Sequence, residues 1–144
     1  MSQTDIEELT SIVVDCAYNL HVEAGPGLLE SVYEVVLADM LQTHGLQVER
    51  QKPIPINLLG KQFDEGFRAD LIIENQLLIE LKSVEKLAPV HSKQVLTYLR
   101  LLQFPLGLLI NYGAPTFKEG IKRIANKHTN FASSRLRVNR NLSS

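Results

Sequence analysis

The chain has 144 residues, a formal net charge of −1, 44% apolar and 22% charged residues, which suits one globular domain with a single core. No apolar run approaches the roughly 20 residues that cross a bilayer, and the acidic Met-Ser-Gln-Thr-Asp-Ile-Glu-Glu start lacks the basic-then-apolar order of a signal peptide. Cys16 is the only cysteine, which rules out an intrachain disulfide framework and a thiolate zinc cluster; the expectation is a cytoplasmic protein with no membrane partner.

Thr4-Asp5-Ile6-Glu7 has the spacing of a capping box with Thr4 as N-cap. Ile6, Leu9, Val13, Cys16, Ala17 and Leu20 follow at helical spacing, and Gly25-Pro26-Gly27 ends this first helix. A second helix is predicted from about Leu28 to His44, with Leu29, Val32, Val36, Leu37, Met40 and Leu41 as its apolar stripe and Gly45 as its stop. Residues 47–57 alternate loosely, and Pro53 and Pro55 mark an edge or bulged strand. Leu59-Gly60-Lys61 reads as a turn, and Phe67–Ile73 and Leu77–Val84 as the two strongest strands. After Pro89, residues 90–103 are helical in pattern. Leu106–Tyr112 is a continuous apolar run suited to a buried central strand. Residues 115–124 are predicted as a final short helix, and residues 129–144 as a basic, flexible tail after a single domain over residues 1–128. The order helix, helix, strands, helix, strand, helix predicts an α/β sandwich around a small mixed sheet.

Charge is divided along the chain. Residues 1–81 carry 4 Lys/Arg against 14 Asp/Glu, and residues 82–144 carry 11 against 2. The split suits either a nucleic-acid surface or acidic helices packed on basic ones.

The hairpin between the two strong strands has an informative register. A two-residue turn at Asn75-Gln76 would pair Leu71 with Glu80 and mix charge with apolar on both faces. A three-residue loop, Glu74-Asn75-Gln76, pairs Leu71 with Ile79 and Asp70 with Glu80. One face then reads Ala69, Leu71, Ile73, Leu77, Ile79 and Leu81, and the other carries Arg68, Asp70, Glu80 and Lys82. Two carboxylates on adjacent strands can hold a hard cation such as Mg²⁺ or Mn²⁺, with the Leu81 carbonyl as a further ligand. Lys82 would lie beside the metal-bound water or a phosphate. The competing reading is an ion pair on the exposed face of an antiparallel sheet. Lys86, Lys93, Arg100, Lys122 and Arg123 are candidate contacts to backbone phosphates.

Asp70, Glu80 and Lys82 resemble the triad of the PD-(D/E)XK nuclease superfamily. Gly27-Leu-Leu-Glu30-Ser-Val-Tyr33 is similar to the signature of the GxxExxY protein family within it. His21, Gly25-Pro26-Gly27, Phe67-Arg-Ala-Asp70, Pro89-Val-His91, Gln94-Val-Leu-Thr-Tyr98-Leu-Arg100 and Leu108-Leu-Ile-Asn111 extend the resemblance over roughly residues 10–127. The resemblance implies a restriction-endonuclease-like sandwich and a metal-dependent nuclease acting on nucleic acid, with DNA as the expected substrate. It implies Asp70, Glu80 and Lys82 as catalytic residues and Glu30 as an additional metal ligand. It also implies Gln94 and Tyr98 as support for the site and the strand, Tyr33 as a supporting aromatic, His91 as a phosphate contact and His21 as structural. The alternatives kept open are a catalytically silent nucleic-acid-binding module and a protein-interaction domain, including a homodimer.

Overall fold

The structure is a computed structural model and describes residues 5–127. Its elements are α1 (Ile6–Ala24), α2 (Glu30–Thr43), β1 (Val48–Leu58), β2 (Lys61–Ile73), β3 (Leu77–Lys82), α3 (Pro89–Leu102), β4 (Leu106–Asn111), α4 (Phe117–Gly120) and β5 (Ile121–Ala125). The strands form one five-stranded sheet in sequence order. Only β3 and β4 are parallel. A parallel pair needs a crossover, and α3 provides it.

Two apolar clusters lie on opposite faces of this sheet. Leu9, Val13, Leu20, Tyr33, Leu37 and Leu41 of α1 and α2 cover Leu71, Ile73, Ile79, Leu81 and Leu108. Val95 and Leu99 of α3 cover Ile54, Phe67, Ile72, Leu78 and Leu109. The chain is therefore an α/β sandwich with a mixed sheet between helices, as its pattern predicts.

Several local expectations need correction. The N-cap of α1 is Asp5, whose carboxylate accepts from the Glu7 and Glu8 N–H groups; Thr4 lies outside the described residues, as does the tail. The buried stripe of α2 is Tyr33, Glu34, Leu37, Ala38 and Leu41. Leu29, Val32 and Val36, expected inside, are 74%, 42% and 39% exposed. The helix is turned to bury the Tyr33 ring, which stacks on Tyr112 with centroids 4.2 Å apart. The Tyr33 hydroxyl donates to the Gly25 carbonyl at 2.6 Å and accepts from the Leu28 N–H at 3.0 Å, so the ring and its polar tip together fix the entry to α2.

The second β-strand begins earlier than predicted, directly after the Leu59-Gly60 turn, where both residues have positive φ. The third ends at Lys82 rather than Val84. The predicted helix over 115–124 is one helical turn followed by the edge strand β5. Gly120 lies so close to the Asn111 carbonyl that a side chain there would collide with it. The chain is thereby laid against β4 as a strand.

The loop after β3 is held by one buried amide. Asn111 Oδ1 accepts from the N–H groups of Val84 and Gly113, both at 3.0 Å. A Cβ at Gly113 would collide with the Val84 backbone. Gly113→Ala is expected to cost about 1–3 kcal/mol by overpacking, read as a lower denaturation midpoint in urea.

Candidate active site

The hairpin has the three-residue loop. Leu71 pairs with Ile79, Ile72 with Leu78 and Ile73 with Leu77, while Glu74 and Asn75 take positive φ to close the turn. Regular pairing stops at Leu71↔Ile79. At the next position the two strands exchange side-chain bonds instead. The Asp70 N–H donates to Glu80 Oε2 at 2.9 Å, and the Leu81 N–H donates to Asp70 Oδ2 at 2.8 Å. Each carboxylate thus satisfies a backbone donor of the opposite strand, as buried donors require.

The alternation of β1 and β2 breaks at the same level. Phe67 and Ala69 belong to the α3-side cluster, whereas Leu71 and Ile73 belong to the other. Ala69 is therefore not on the face that the simple alternation assigned to it. Across the ladder, Val48 packs on the α1 and α2 side and Ile54 on the α3 side. Both strands change phase at Gln51 and Asp70, a paired irregularity of the kind that re-aims side chains.

Glu80 is 4% exposed, which removes the reading of a solvated ion pair. Burial first, and then the neighbouring Asp70 charge, push its carboxyl up to about 8. Burial also raises Asp70, against the lowering effect of the Leu81 N–H and with a further rise from the Glu34 charge. Lys82 makes no ion pair among the described residues, yet its charge draws both carboxyls down. Among the described residues the ammonium thus acts on both carboxyls through its charge and is not bound in an ion pair. Its strand ends there, at the carboxyl end of the parallel pair, where Lys82 is opposite Asn111.

Tyr98 reaches the same place from α3. Burial and then the charges of Glu80 and Asp70 raise its hydroxyl pKa. Its ring stacks on Phe67 with centroids 3.9 Å apart. Gln94 lies one turn earlier and is half-buried. Lys93 and Arg100, on the adjoining face of α3, are exposed.

Other predicted residues are placed differently. Glu30 is exposed at the start of α2, and its Oε2 accepts from the Ser83 N–H at 3.2 Å. It borders a cleft of about 340 Å³ that Asp70 also lines. Tyr33 is 1% exposed and lies within the core. His91 caps α3, its Nδ1 accepting from the Ala88 N–H at 3.0 Å. His21 is buried, with Nε2 3.2 Å from the Ala114 carbonyl. Arg123 is engaged by Glu7 at 2.5 Å, whereas Lys122, one residue earlier on β5, is exposed.

Three residues that the sequence did not single out join the site. Glu34 is 5% exposed. It accepts from Gln51 Nε2 at 2.6 Å and from Arg50 Nε at 3.2 Å. Gln51 Nε2 also donates to Asp70 Oδ1 at 3.1 Å. The available signal was a carboxylate three residues before Leu37 and four before Ala38, hence on the buried side of α2.

The donor set suits a hard cation. Asp70, Glu80 and the Leu81 carbonyl are all oxygen donors, and a cation would relieve the mutual opposition of two neighbouring carboxyl charges. Among the described residues no group of three His, Cys, Asp or Glu side chains forms a ready-made cage. A cation held by these donors would need water to complete its shell, as Mg²⁺ accepts.

A mixed sheet between helices, with buried carboxylates and a lysine at the end of its parallel pair, defines a restriction-endonuclease-like domain. The family model described as the PD-(D/E)XK nuclease superfamily matches residues 7–124, and the chain belongs to that superfamily. Neither the curated proteins nor the solved structures gave a match. No helix among the described residues is long and apolar enough to cross a membrane.

The raised carboxyls have a thermodynamic signature. An acid whose folded pKa exceeds its unfolded value stabilises the fold below the unfolded pKa. That stability is lost as pH rises through the folded value, here about 8 for Glu80. The metal-free protein should therefore lose stability between about pH 5 and 9. Glu80→Gln should flatten that dependence in denaturant titrations run at a series of pH values. An unchanged slope would contradict the burial of the charge.

Proposed function

We propose that the chain is a metal-dependent nuclease that hydrolyses phosphodiester bonds of nucleic acid, with DNA as its substrate. The observation that carries this reading is the reciprocal Asp70–Glu80 exchange, which sets a buried and a half-buried carboxyl within the influence of Lys82, which makes no ion pair among the described residues. The segment Gly27 to Tyr33 further supports a place in the GxxExxY protein family.

Mechanism follows from the placement of the groups. Asp70, Glu80 and the Leu81 carbonyl would hold Mg²⁺ or Mn²⁺, with Glu30 joining across the cleft it shares with Asp70. When bound, the ion would supply Lewis-acid polarisation of a phosphoryl oxygen and a lower pKa for a water. Lys82 would orient the attacking water and offset charge developing on the phosphate. Tyr98 feels both carboxyl charges from α3, and Gln94, one turn earlier on that helix, would join it in supporting the strand being cut. Lys93 and Arg100, exposed on the same helix, give affinity for neighbouring phosphates without reading sequence.

The deciding assay incubates labelled DNA and RNA with Mn²⁺, Mg²⁺ or chelator. Wild type should cut only with metal. Asp70→Asn, which keeps an acceptor for the Leu81 N–H, and Lys82→Ala should each lower cleavage by about 10²–10³-fold with circular dichroism unchanged. Equal cleavage by all three proteins rejects the proposal. Salt-sensitive binding with no metal-dependent product would instead identify a silent binding module.

A further inference from the structure

We propose that Gln51 is a positioning residue that fixes the Asp70 carboxylate for metal binding, through a bridge anchored on Glu34. The inference deepens the metal-dependent reading above and rests on it.

Gln51 lies inside β1 but has φ 48°, a left-handed conformation that costs energy in any residue with a side chain. It stands where β1 and β2 both change phase, and neither Gln51 nor Asp70 takes part in the regular pairing on either side. The distortion puts one carboxamide nitrogen between two carboxylates. Nε2 donates to Glu34 Oε1 at 2.6 Å and to Asp70 Oδ1 at 3.1 Å, which uses both of its hydrogens.

Each end of that bridge is itself held. Glu34 is buried, and its second oxygen is taken by Arg50, with Nη2 at 3.1 Å. The second oxygen of Asp70 is taken by the Leu81 N–H. Asp70 therefore has one oxygen fixed by the backbone of β3 and the other by a side chain of β1, which sets the plane of the carboxylate. Gln51 touches no reacting atom in this arrangement. It acts through Asp70, as residues behind a metal ligand do, and their loss commonly weakens metal binding 10–100-fold. It also screens Asp70 from Glu34, whose charge opposes ionisation of Asp70.

The test uses the full chain and measures Mn²⁺ binding by electron paramagnetic resonance alongside thermal unfolding without metal. Glycine adopts positive φ freely, and relief of that strain opposes the loss of the two carboxamide bonds, so Gln51→Gly should still unfold cooperatively, at a melting temperature no lower than that of Gln51→Asn. It should nevertheless bind Mn²⁺ at least about 10-fold more weakly. Gln51→Asn, which tolerates the same backbone but is one methylene too short to span both carboxylates, should lose a similar factor. Asp70→Asn reports on the metal site itself and should abolish binding. Wild-type affinity in both Gln51 variants, with binding lost in Asp70→Asn, overturns the assignment of Gln51 alone. Undiminished binding in Asp70→Asn overturns the metal reading beneath it.

Discussion

A sheet normally spends its backbone donors on its neighbour's carbonyls. Between β2 and β3 that rule is suspended at one level, where the Asp70 and Leu81 N–H groups are satisfied by carboxylates of the facing strands. The exchange keeps both donors bonded while opening the ladder enough to admit two carboxyl side chains. Withdrawing two neighbouring carboxyl groups from water is costly. The cost is offset locally by these bonds, by Gln51 and by the Lys82 charge. The remainder of the domain supplies rigid walls for that opening, with α1 and α2 on one face and α3 on the other.

Position within the topology explains why polar groups converge there. The hairpin brings Asp70 to Glu80, the parallel pair ends at Lys82 and Asn111, and the crossover helix returns Tyr98 to the same end. Asn111 then holds the outgoing loop, so the lysine is followed by a constrained backbone. Helix α2 contributes from the opposite side through Glu34, which is joined to Asp70 by Gln51. Membership of the PD-(D/E)XK nuclease superfamily accords with this convergence of strand carboxylates and a lysine.

The legible parts of the sequence were those where local pattern and tertiary demand agree. The apolar set of α1, the prolines of the edge strand β1, and the hairpin register from Leu71 to Leu77 could all be read, because a one-residue slip would have exposed the core. The rotation of α2 could not, since Tyr33 and Val36 are both apolar and only the Tyr112 ring decides which is buried. The β5 strand was hidden by its length and by Gly120, whose tight packing on β4 is a long-range fact. Glu34 was masked by its charge, which reads as solvent-facing until Arg50 and Gln51 are seen around it. The phase change at Gln51 and Asp70 has no compositional mark, because neither residue is a glycine or a proline.

Leu81 ties the chemistry to the interior. Its side chain is buried in the α1 and α2 cluster, and its N–H is the donor that fixes Asp70. Because Asp70 and Glu80 stand in for ladder partners, they are also structural members of the sheet. A chain of this fold with no catalytic role would still lose backbone satisfaction on discarding either one. Retention of the pair under mutational drift can thus reflect folding alone, and a damaged lysine is the more telling trace of lost catalysis.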